Sequence, residues 1–228
     1  MQPDTLQTRA GDLVIQPVNH ATVILSHGSD VIYVDPVGGA DRYKPFNKPT
    51  AILLTHAHSD HFDVPTLEAV GQNVKLIIAP QIVLDALPAD LKAKAKLMKN
   101  GDTGEVNGLP LQAVAAYNTT PDRLRYHPKG VGNGYVLTFA DKKVYVAGDT
   151  EDIPEMRDLT GIDIAFVPMN LPYTMTGQQA AAGVKAFRPR VVYPYHYGKD
   201  GPEPAKFAAA IKGTAGIEVR QQDWYAYG

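Results

Sequence analysis

Four side chains that commonly bind metal ions fall within six residues of one another. His56, His58, Asp60 and His61, here called the His-rich motif (residues 56–61), come shortly after the apolar segment 51–54. Side chains of an extended segment alternate in direction, so His56 and His58 point the same way. A following turn can bring Asp60 and His61 to a second position. Imidazoles and a carboxylate at this density indicate zinc or another borderline divalent metal. The alternative, a solvated loop, is less favoured because the motif follows a buried strand.

Two further candidates also follow predicted strands. Asp149 comes after the apolar segment 143–147, and Gly148 permits close backbone approach there. His196 ends the apolar segment 191–195. Taken alone, Asp149 fits a turn or a helix cap, and His196 fits a core or surface position. Because both follow strands, loops at one edge of a sheet could bring them to the His-rich motif.

The arrangement of these segments resembles a known superfamily. The His-rich motif resembles the hallmark of the metallo-β-lactamase fold hydrolases. Segments 31–36, 144–150 and 192–196 resemble, in order, the strands that deliver a buried Asp, a bridging Asp and a last His. With segment 19–22, Asn-His-Ala-Thr, the sequence looks most like the branch containing ascorbate-6-phosphate lactonase and phospholipase-D-type enzymes.

This resemblance implies both a fold and a site. The fold class is α/β (α+β), a four-layer αββα sandwich with a two-metal site at one edge of the sheets. The implied cofactors are two divalent metal ions, zinc first, with manganese, iron or nickel as alternatives. The implied ligands are His56, His58, Asp60, His61, Asp149 and His196.

One part of the chain departs from the superfamily pattern. A third His for the first metal is expected after the strand predicted at 111–115, yet Tyr117 and Asn118 stand there. His127, further along the same loop, is the first choice to replace it. Asn118, directly or through water, is the second choice, and an incomplete first site is the third.

Other residues are expected around the site rather than on a metal. Asp35 is predicted to orient a ligand imidazole. His20 either lines the site or is a plain strand-end histidine. Tyr173 and Tyr195 lie near site segments, although packing is the more ordinary role of a tyrosine.

The predicted chemistry is hydrolysis by a hydroxide that bridges two metals. Two divalent ions carry four positive charges, and Asp60, Asp149 and the hydroxide remove three, which leaves about one positive charge. We therefore expect a small, anionic ester, lactone or phosphodiester as substrate. Asp60 is the predicted catalytic residue, which orients the hydroxide and later carries a proton.

Two other functions compete with hydrolysis. A non-catalytic metal-binding member of the fold, either a scaffold or an enzyme relic, is suggested by the altered third ligand. A diiron redox function is disfavoured because His58 stands where that class usually carries a carboxylate.

Composition narrows the remaining classes. The 228 residues carry a formal charge of −2, which disfavours nucleic-acid binding. The chain is long enough to bury a full core, so a single domain is predicted over 1–228. The absence of cysteine excludes disulfides and thiol catalysis. No apolar run is long enough to span a membrane. No signal peptide is visible, and two compartments stay open: the cytoplasm, or the periplasm or the outside of the cell if a signal peptide was removed before Met1.

The apolar pattern predicts two sheets, each built from one half of the chain, with helices between their strands. A helix is predicted over 89–97, after Pro88. Capping boxes are predicted at Asp152 with Glu155 and at Thr176 with Gln179.

Overall fold

The computed structural model describes residues 2–226, which form two seven-stranded sheets with helices on their outer faces. In this part of the chain, no helix has the length and apolar character that crossing a membrane requires.

The first sheet is built from the first half of the chain, with its strands side by side in sequence order. Strands β1–β4 pair antiparallel through short turns, whereas β4–β7 pair parallel. The strands are β1 (Asp4–Thr8), β2 (Gly11–Asn19), β3 (Thr22–His27), β4 (Asp30–Val34), β5 (Ala51–Leu53), β6 (Leu76–Ala79) and β7 (Ala95–Leu97).

The second sheet repeats this plan in the second half of the chain. Strands β8–β11 pair antiparallel and β11–β14 pair parallel, again in sequence order. The strands are β8 (Thr103–Val106), β9 (Leu109–Ala116), β10 (Gly132–Phe139), β11 (Lys142–Val146), β12 (Ile164–Pro168), β13 (Val191–Tyr195) and β14 (Glu218–Val219).

Six α-helices of the described residues cover the outer faces. They are α1 (Val64–Val70), α2 (Gln81–Ala86), α3 (Ala89–Lys92), α4 (Pro154–Arg157), α5 (Gly177–Phe187) and α6 (Glu203–Ile211). One apolar core lies between the sheets, a second between the second sheet and α4–α6, and a third between the first sheet and α1–α3. The four layers are therefore those of the predicted αββα sandwich.

Strand β4 shows why the central strands read as continuous apolar runs. Ile32 and Val34 face the core between the sheets, while Val31 and Tyr33 face the helices. A strand that is covered on both faces must be apolar at every position. The carboxyl ends of the parallel strands meet at one edge of the sandwich, and the loops that follow them carry the candidate site.

Two predictions of local structure are wrong. Residues 89–97 do not form one helix: α3 ends at Lys92, and residues 95–97 form β7, because pairing with β6 outweighs their helical preference. Asp152 does not cap α4, which has Ile153 at its N-cap; its carboxylate pairs with Arg157 instead. The capping box of Thr176 and Gln179 at α5 is confirmed.

Candidate metal centre

The candidate site is assembled from loops that follow strands of both sheets. The His-rich motif follows β5, a strand of only three residues in the buried middle of the first sheet. Asp149 follows β11 and His196 follows β13, in the second sheet. His127 comes from the long loop between β9 and β10. Each loop leaves its sheet at the same edge of the sandwich, which is why residues so distant in sequence meet.

The first donor group consists of His56, His58, His127 and Asp149. His58 Nδ1 lies 3.1 Å from His56 Nε2 and 3.2 Å from His127 Nε2. Asp149 Oδ2 lies 3.1 Å from His127 Nε2 and 3.8 Å from His56 Nε2. A tetrahedral zinc with bonds of about 2.0–2.1 Å separates its ligands by about 3.3–3.4 Å. With all four donor atoms within 4.8 Å of one another, the spacing is compatible with a single divalent metal ion.

The second donor group, taken as Asp60, His61, Asp149 and His196, joins two clusters of donor atoms that share His196: one of His61, Asp149 and His196, and one of His20, Asp60 and His196. His196 Nε2 lies 3.1 Å from Asp60 Oδ2 and 3.3 Å from Asp149 Oδ1. His61 Nε2 lies 3.2 Å from Asp149 Oδ1 and 3.9 Å from Asp60 Oδ2. These separations again bracket the ligand spacing of a tetrahedral site.

Asp149 belongs to both groups, with Oδ2 facing the first and Oδ1 facing the second. Oδ1 and His61 Nε2 are both buried, and although they lie 3.2 Å apart, neither is in hydrogen-bond geometry with a partner within the described residues. Buried polar atoms without partners are rare in folded proteins because each costs about 1–3 kcal/mol. A divalent cation between these two atoms would satisfy both, so the donor set fits a bound metal.

Asp35 and Thr55 fix the orientation of two imidazoles. His61 Nδ1 donates to Asp35 Oδ2 at 2.7 Å, which leaves Nε2 as the free donor atom. Thr55 Oγ1 donates to the same carboxylate oxygen at 2.6 Å and lies 3.0 Å from His56 Nδ1, whose N–H it can accept as a hydrogen bond. Sequence reasoning selected Asp35 but missed Thr55, because a threonine beside a histidine has no distinctive signal.

A backbone carbonyl fixes the His127 ring through its Nδ1 atom, on the side away from the other donor atoms. This Nδ1 donates to the carbonyl of Tyr173 at 3.1 Å, and Asn118 Nδ2 donates to the same carbonyl at 2.6 Å. Asn118 also donates to the carbonyl of Arg123, and its backbone N–H donates to the carbonyl of His127. Asn118 thus holds the loop that carries His127, whereas Tyr173 contributes its carbonyl and leaves its side chain half-exposed.

Glu151 anchors the beginning of the same loop. This side chain is fully buried, and its Oε2 accepts hydrogen bonds from the backbone N–H and the hydroxyl of both Thr119 and Thr120. Its other oxygen pairs with Arg123 at 3.2 Å. Because Glu151 lies two residues after Asp149, it fixes the loop of His127 to the segment that carries the shared carboxylate. Sequence reasoning gave Glu151 no role.

His20 and Tyr195 lie at the second donor group. His20 Nε2 is 3.5 Å from Asp60 Oδ2, and its ring lies 4.1 Å from the ring of His196. The other ring nitrogen, Nδ1, is 2.7 Å from the hydroxyl of Tyr225. Tyr195 is buried below the site, and its hydroxyl donates to the carbonyl of Gly148. His20 therefore lines the site, while Tyr195 supports the turn before Asp149.

The backbone at the site adopts an uncommon conformation. His20, Asp35 and His196 have φ angles of 48°, 47° and 46°. Non-glycine residues in this left-handed region carry strain and persist where the surrounding structure holds them, often at functional sites. Gly148, with φ 65°, occupies the corresponding turn before Asp149, where a Cβ would lie 2.8 Å from a backbone oxygen.

Burial favours the neutral, metal-binding form of three imidazoles. It lowers the pKa of His56, His58 and His196, because a charged ring loses hydration there. His61 behaves differently: burial again opposes its charge, but the nearby Asp149 and Asp35 carboxylates outweigh it and raise its pKa.

Both site carboxylates are held in the ionised form. Burial opposes ionisation of Asp149, yet the surrounding histidines, His196 and His61 foremost, hold its pKa well below the ordinary value. Burial likewise opposes ionisation of Asp60, and hydrogen bonds from His196 and His20 lower the pKa of that carboxyl overall. Anionic carboxylates beside neutral imidazoles form a suitable donor set for a divalent metal.

Comparison with known proteins identifies the class. A family model described as the β-lactamase superfamily domain matches residues 14–196. The chain therefore belongs to the metallo-β-lactamase superfamily, as its sandwich and donor groups also indicate.

Individual proteins of this superfamily are similar to the chain over most of its length. The chain is 33% identical over 189 residues to a UPF0173 metal-dependent hydrolase from Natranaerobius thermophilus, covering 79% of this chain and 81% of that protein. A crystal structure of a candidate metal-dependent hydrolase from Parabacteroides distasonis is 43% identical, with a TM-score of 0.88 over 97% of this chain and 98% of that one. Igni18, a metallo hydrolase from Ignicoccus hospitalis, shares the fold at 24% identity, with a TM-score of 0.74 over 92% and 95% of the two chains.

Proposed function

We propose that this protein is a dinuclear metal-dependent hydrolase that cleaves an ester, a lactone or a phosphodiester of a small anionic substrate. The observation that carries the proposal is the Asp149 carboxylate, whose two oxygens face two separate donor groups. A carboxylate in this position suits a pair of ions close enough to act on one substrate. The relatives that are named metal-dependent hydrolases support the same class of activity.

The proposal assigns each donor group to one ion. The first ion would be held by His56, His58, His127 and Asp149, and the second by Asp60, His61, Asp149 and His196. Bound divalent ions supply a water of lowered pKa and polarise the oxygen of the group that is attacked. Zinc is the first choice because the donors are mainly imidazoles with spacings near those of tetrahedral zinc.

Asp60 is the proposed proton carrier. Its side chain is 45% exposed, so it borders the space that a substrate must enter. One oxygen, Oδ2, faces His196, and the carboxylate is ionised at neutral pH because its pKa is lowered. Oδ1 would therefore accept a hydrogen bond from the attacking water and orient it, and the lowered pKa would make the carboxylate a weak base that passes the proton on to the leaving group rather than keeping it.

The non-catalytic alternative rested on an incomplete first donor group. The proximity of His127 Nε2 to His58 and Asp149 supports catalysis instead, because it offers a third imidazole where Asn118 replaces the expected one. Asp60, half-exposed beside the second group, also gives the site an open side, which a purely structural metal site does not need.

Metal content and activity test this proposal together. Elemental analysis of the purified protein is expected to give two ions per chain, and the loaded protein is expected to hydrolyse at least one of p-nitrophenyl acetate, a simple lactone and bis-p-nitrophenyl phosphate. Asp149→Ala is expected to lose both ions and all hydrolysis, while the control Asp90→Ala, at an exposed position of α3, retains both.

Two results would contradict the proposal in different ways. If Asp149→Ala kept two ions with unchanged affinity, the dinuclear assignment would be wrong. If the wild-type protein bound two ions but hydrolysed none of the three substrate types, the non-catalytic alternative would replace the enzyme.

A further inference from the structure

A cavity of about 220 Å³ opens beside the first donor group. Its lining includes all four donor residues of that group, so a molecule in the cavity can reach the proposed metal ions directly. Concave sites of this kind beside reactive groups are where proteins bind small molecules.

The rest of the cavity wall is mainly apolar. Ile82 comes from α2, Ala116 from the end of β9, and Tyr126 and Val131 from the loop between β9 and β10. Ile82 is 45% exposed although its helix neighbour Val83 is fully buried. The packing of α2 therefore leaves part of the Ile82 side chain uncovered at the cavity.

Apolar surface continues outward from the cavity. The Tyr126 ring, which lines the cavity, packs edge to face on the ring of Tyr173 at 5.0 Å, and Tyr173 is 46% exposed. Leu124 and Leu171, also exposed, stand within two residues of these tyrosines in the chain. Grouped exposed apolar residues commonly mark a binding surface.

Arg125 is the cation among the described residues that line the cavity. Its guanidinium donates from Nη2 to the hydroxyl of Tyr126 at 2.9 Å and lies over the ring of that tyrosine, 4.8 Å from its centre. These contacts hold the guanidinium at the cavity, where it can meet a carboxylate or phosphate oxygen.

We infer that the substrate is an amphiphilic anion, whose apolar acyl, alkyl or aryl group fills this cavity while Arg125 contacts its negative charge. The inference rests on the proposed function and specifies its substrate class. A sugar phosphate fits the cavity less well, because its hydroxyl groups would lose hydration against Ile82 and Val131 without gaining hydrogen bonds.

Binding of alkylphosphonates to the zinc-loaded protein, measured by calorimetry, tests the inference without requiring turnover. The dissociation constant is expected to fall about fourfold for each methylene added, from methyl to pentyl, because each one leaves water for an apolar wall. Ile82→Gln is expected to flatten this dependence on chain length. The control Asp85→Gln, at an exposed position of the same helix that is not in the cavity lining, is expected to leave it unchanged.

The charge is tested with a second pair of variants. Arg125→Gln is expected to weaken all the phosphonates about tenfold while keeping the same dependence on chain length. Arg190→Gln, at an exposed arginine that lines a different cavity, is the control and is expected to have no effect.

The outcomes separate the inference from the proposed function. Binding that does not depend on chain length, or no binding of any homologue, would overturn the apolar cavity as the substrate site. Equal affinity of Arg125→Gln and the wild type for the phosphonates would show that Arg125 does not contact the charge of the substrate. The proposed function is judged separately, by hydrolysis of the three simple substrates described above.

Discussion

At the scale of single residues, the site depends on which nitrogen of each imidazole is left free. Asp35 accepts a hydrogen bond from Nδ1 of His61, and Thr55 links the same carboxylate to Nδ1 of His56. Both rings therefore present Nε2 to the donor groups. Partners of this kind typically change metal affinity by 10–100-fold when they are removed.

Thr55 gives the sharpest test of this arrangement. Thr55→Val keeps the buried volume but removes the hydroxyl, so His56 loses the partner that fixes its ring. We expect metal affinity at the first donor group to fall about 10–100-fold, measured by competition with a chromogenic chelator. Thr55→Ser, which keeps the hydroxyl, is the control and should bind metal nearly as the wild type does. Equal loss in both variants would show that packing, not the hydroxyl, matters.

His127 and His196 give a matched comparison of the two donor groups. His127 Nε2 faces only the first group, and His196 Nε2 faces only the second. We expect His127→Ala to release chiefly the first ion and His196→Ala chiefly the second. Cobalt substitution, followed by visible absorption during stepwise titration, distinguishes the two sites. If His127→Ala lost both ions equally, a general effect on folding would explain the loss better than coordination does.

At the scale of elements, the loop between β9 and β10 must be held in place for His127 to reach the site. Glu151 supplies that hold through four hydrogen bonds to Thr119 and Thr120, together with an ion pair to Arg123. Glu151 touches none of the proposed ligands through these contacts. Its influence on metal binding therefore passes through the position of the loop.

A double-mutant cycle can isolate this positioning role. Glu151→Gln weakens the acceptor for the threonine donors, so the first ion should bind about tenfold more weakly. In the His127→Ala background the same change should add little, because the loop no longer delivers a ligand. Glu105→Gln, at an exposed position of β8, is the control. Full additivity of Glu151→Gln and His127→Ala would contradict the positioning role.

The sequence predicts the elements that carry dense local signals. The His-rich motif follows a buried strand, and the apolar runs that end before Asp149 and His196 mark two further strands, so two sheets could be predicted from the pattern, whereas the four-layer sandwich followed from the family resemblance. The capping box at Thr176 depends on residues three apart, which a single sequence displays directly.

Features set by distant contacts could not be predicted. Thr55 meets Asp35 across 20 residues, and Glu151 meets Thr119 across 32. Strand β7 looks helical until its pairing with β6 is known. In each case the local composition is ordinary, and the role exists only because the tertiary fold brings a partner into contact.

At the scale of the whole molecule, the site lies between two halves with the same strand plan. The first half supplies the His-rich motif, and the second supplies His127, Asp149 and His196. Bound ions would therefore tie the loops of one sheet to those of the other. Removing them should affect the stability of the entire sandwich rather than of one loop.

Chelation should lower the melting temperature measurably. An ion present at 100 times its dissociation constant stabilises the native state by about 2.7 kcal/mol. For a chain of this length that corresponds to about 5–10 °C for each ion lost. Differential scanning calorimetry before and after dialysis against a chelator measures the shift, and Asp149→Ala should show none. An unchanged melting temperature after verified metal removal would argue against sites of appreciable affinity.

Trp224, near the C-terminal end of the chain, gives the protein an intrinsic fluorophore next to this site. It is the only tryptophan in the sequence, and it is fully buried in the core between the sheets. Its indole donates to the carbonyl of Pro194, and its own carbonyl accepts from the backbone N–H of His20. Emission from one residue, without a label, should therefore report unfolding as a red shift and metal binding as a change in intensity.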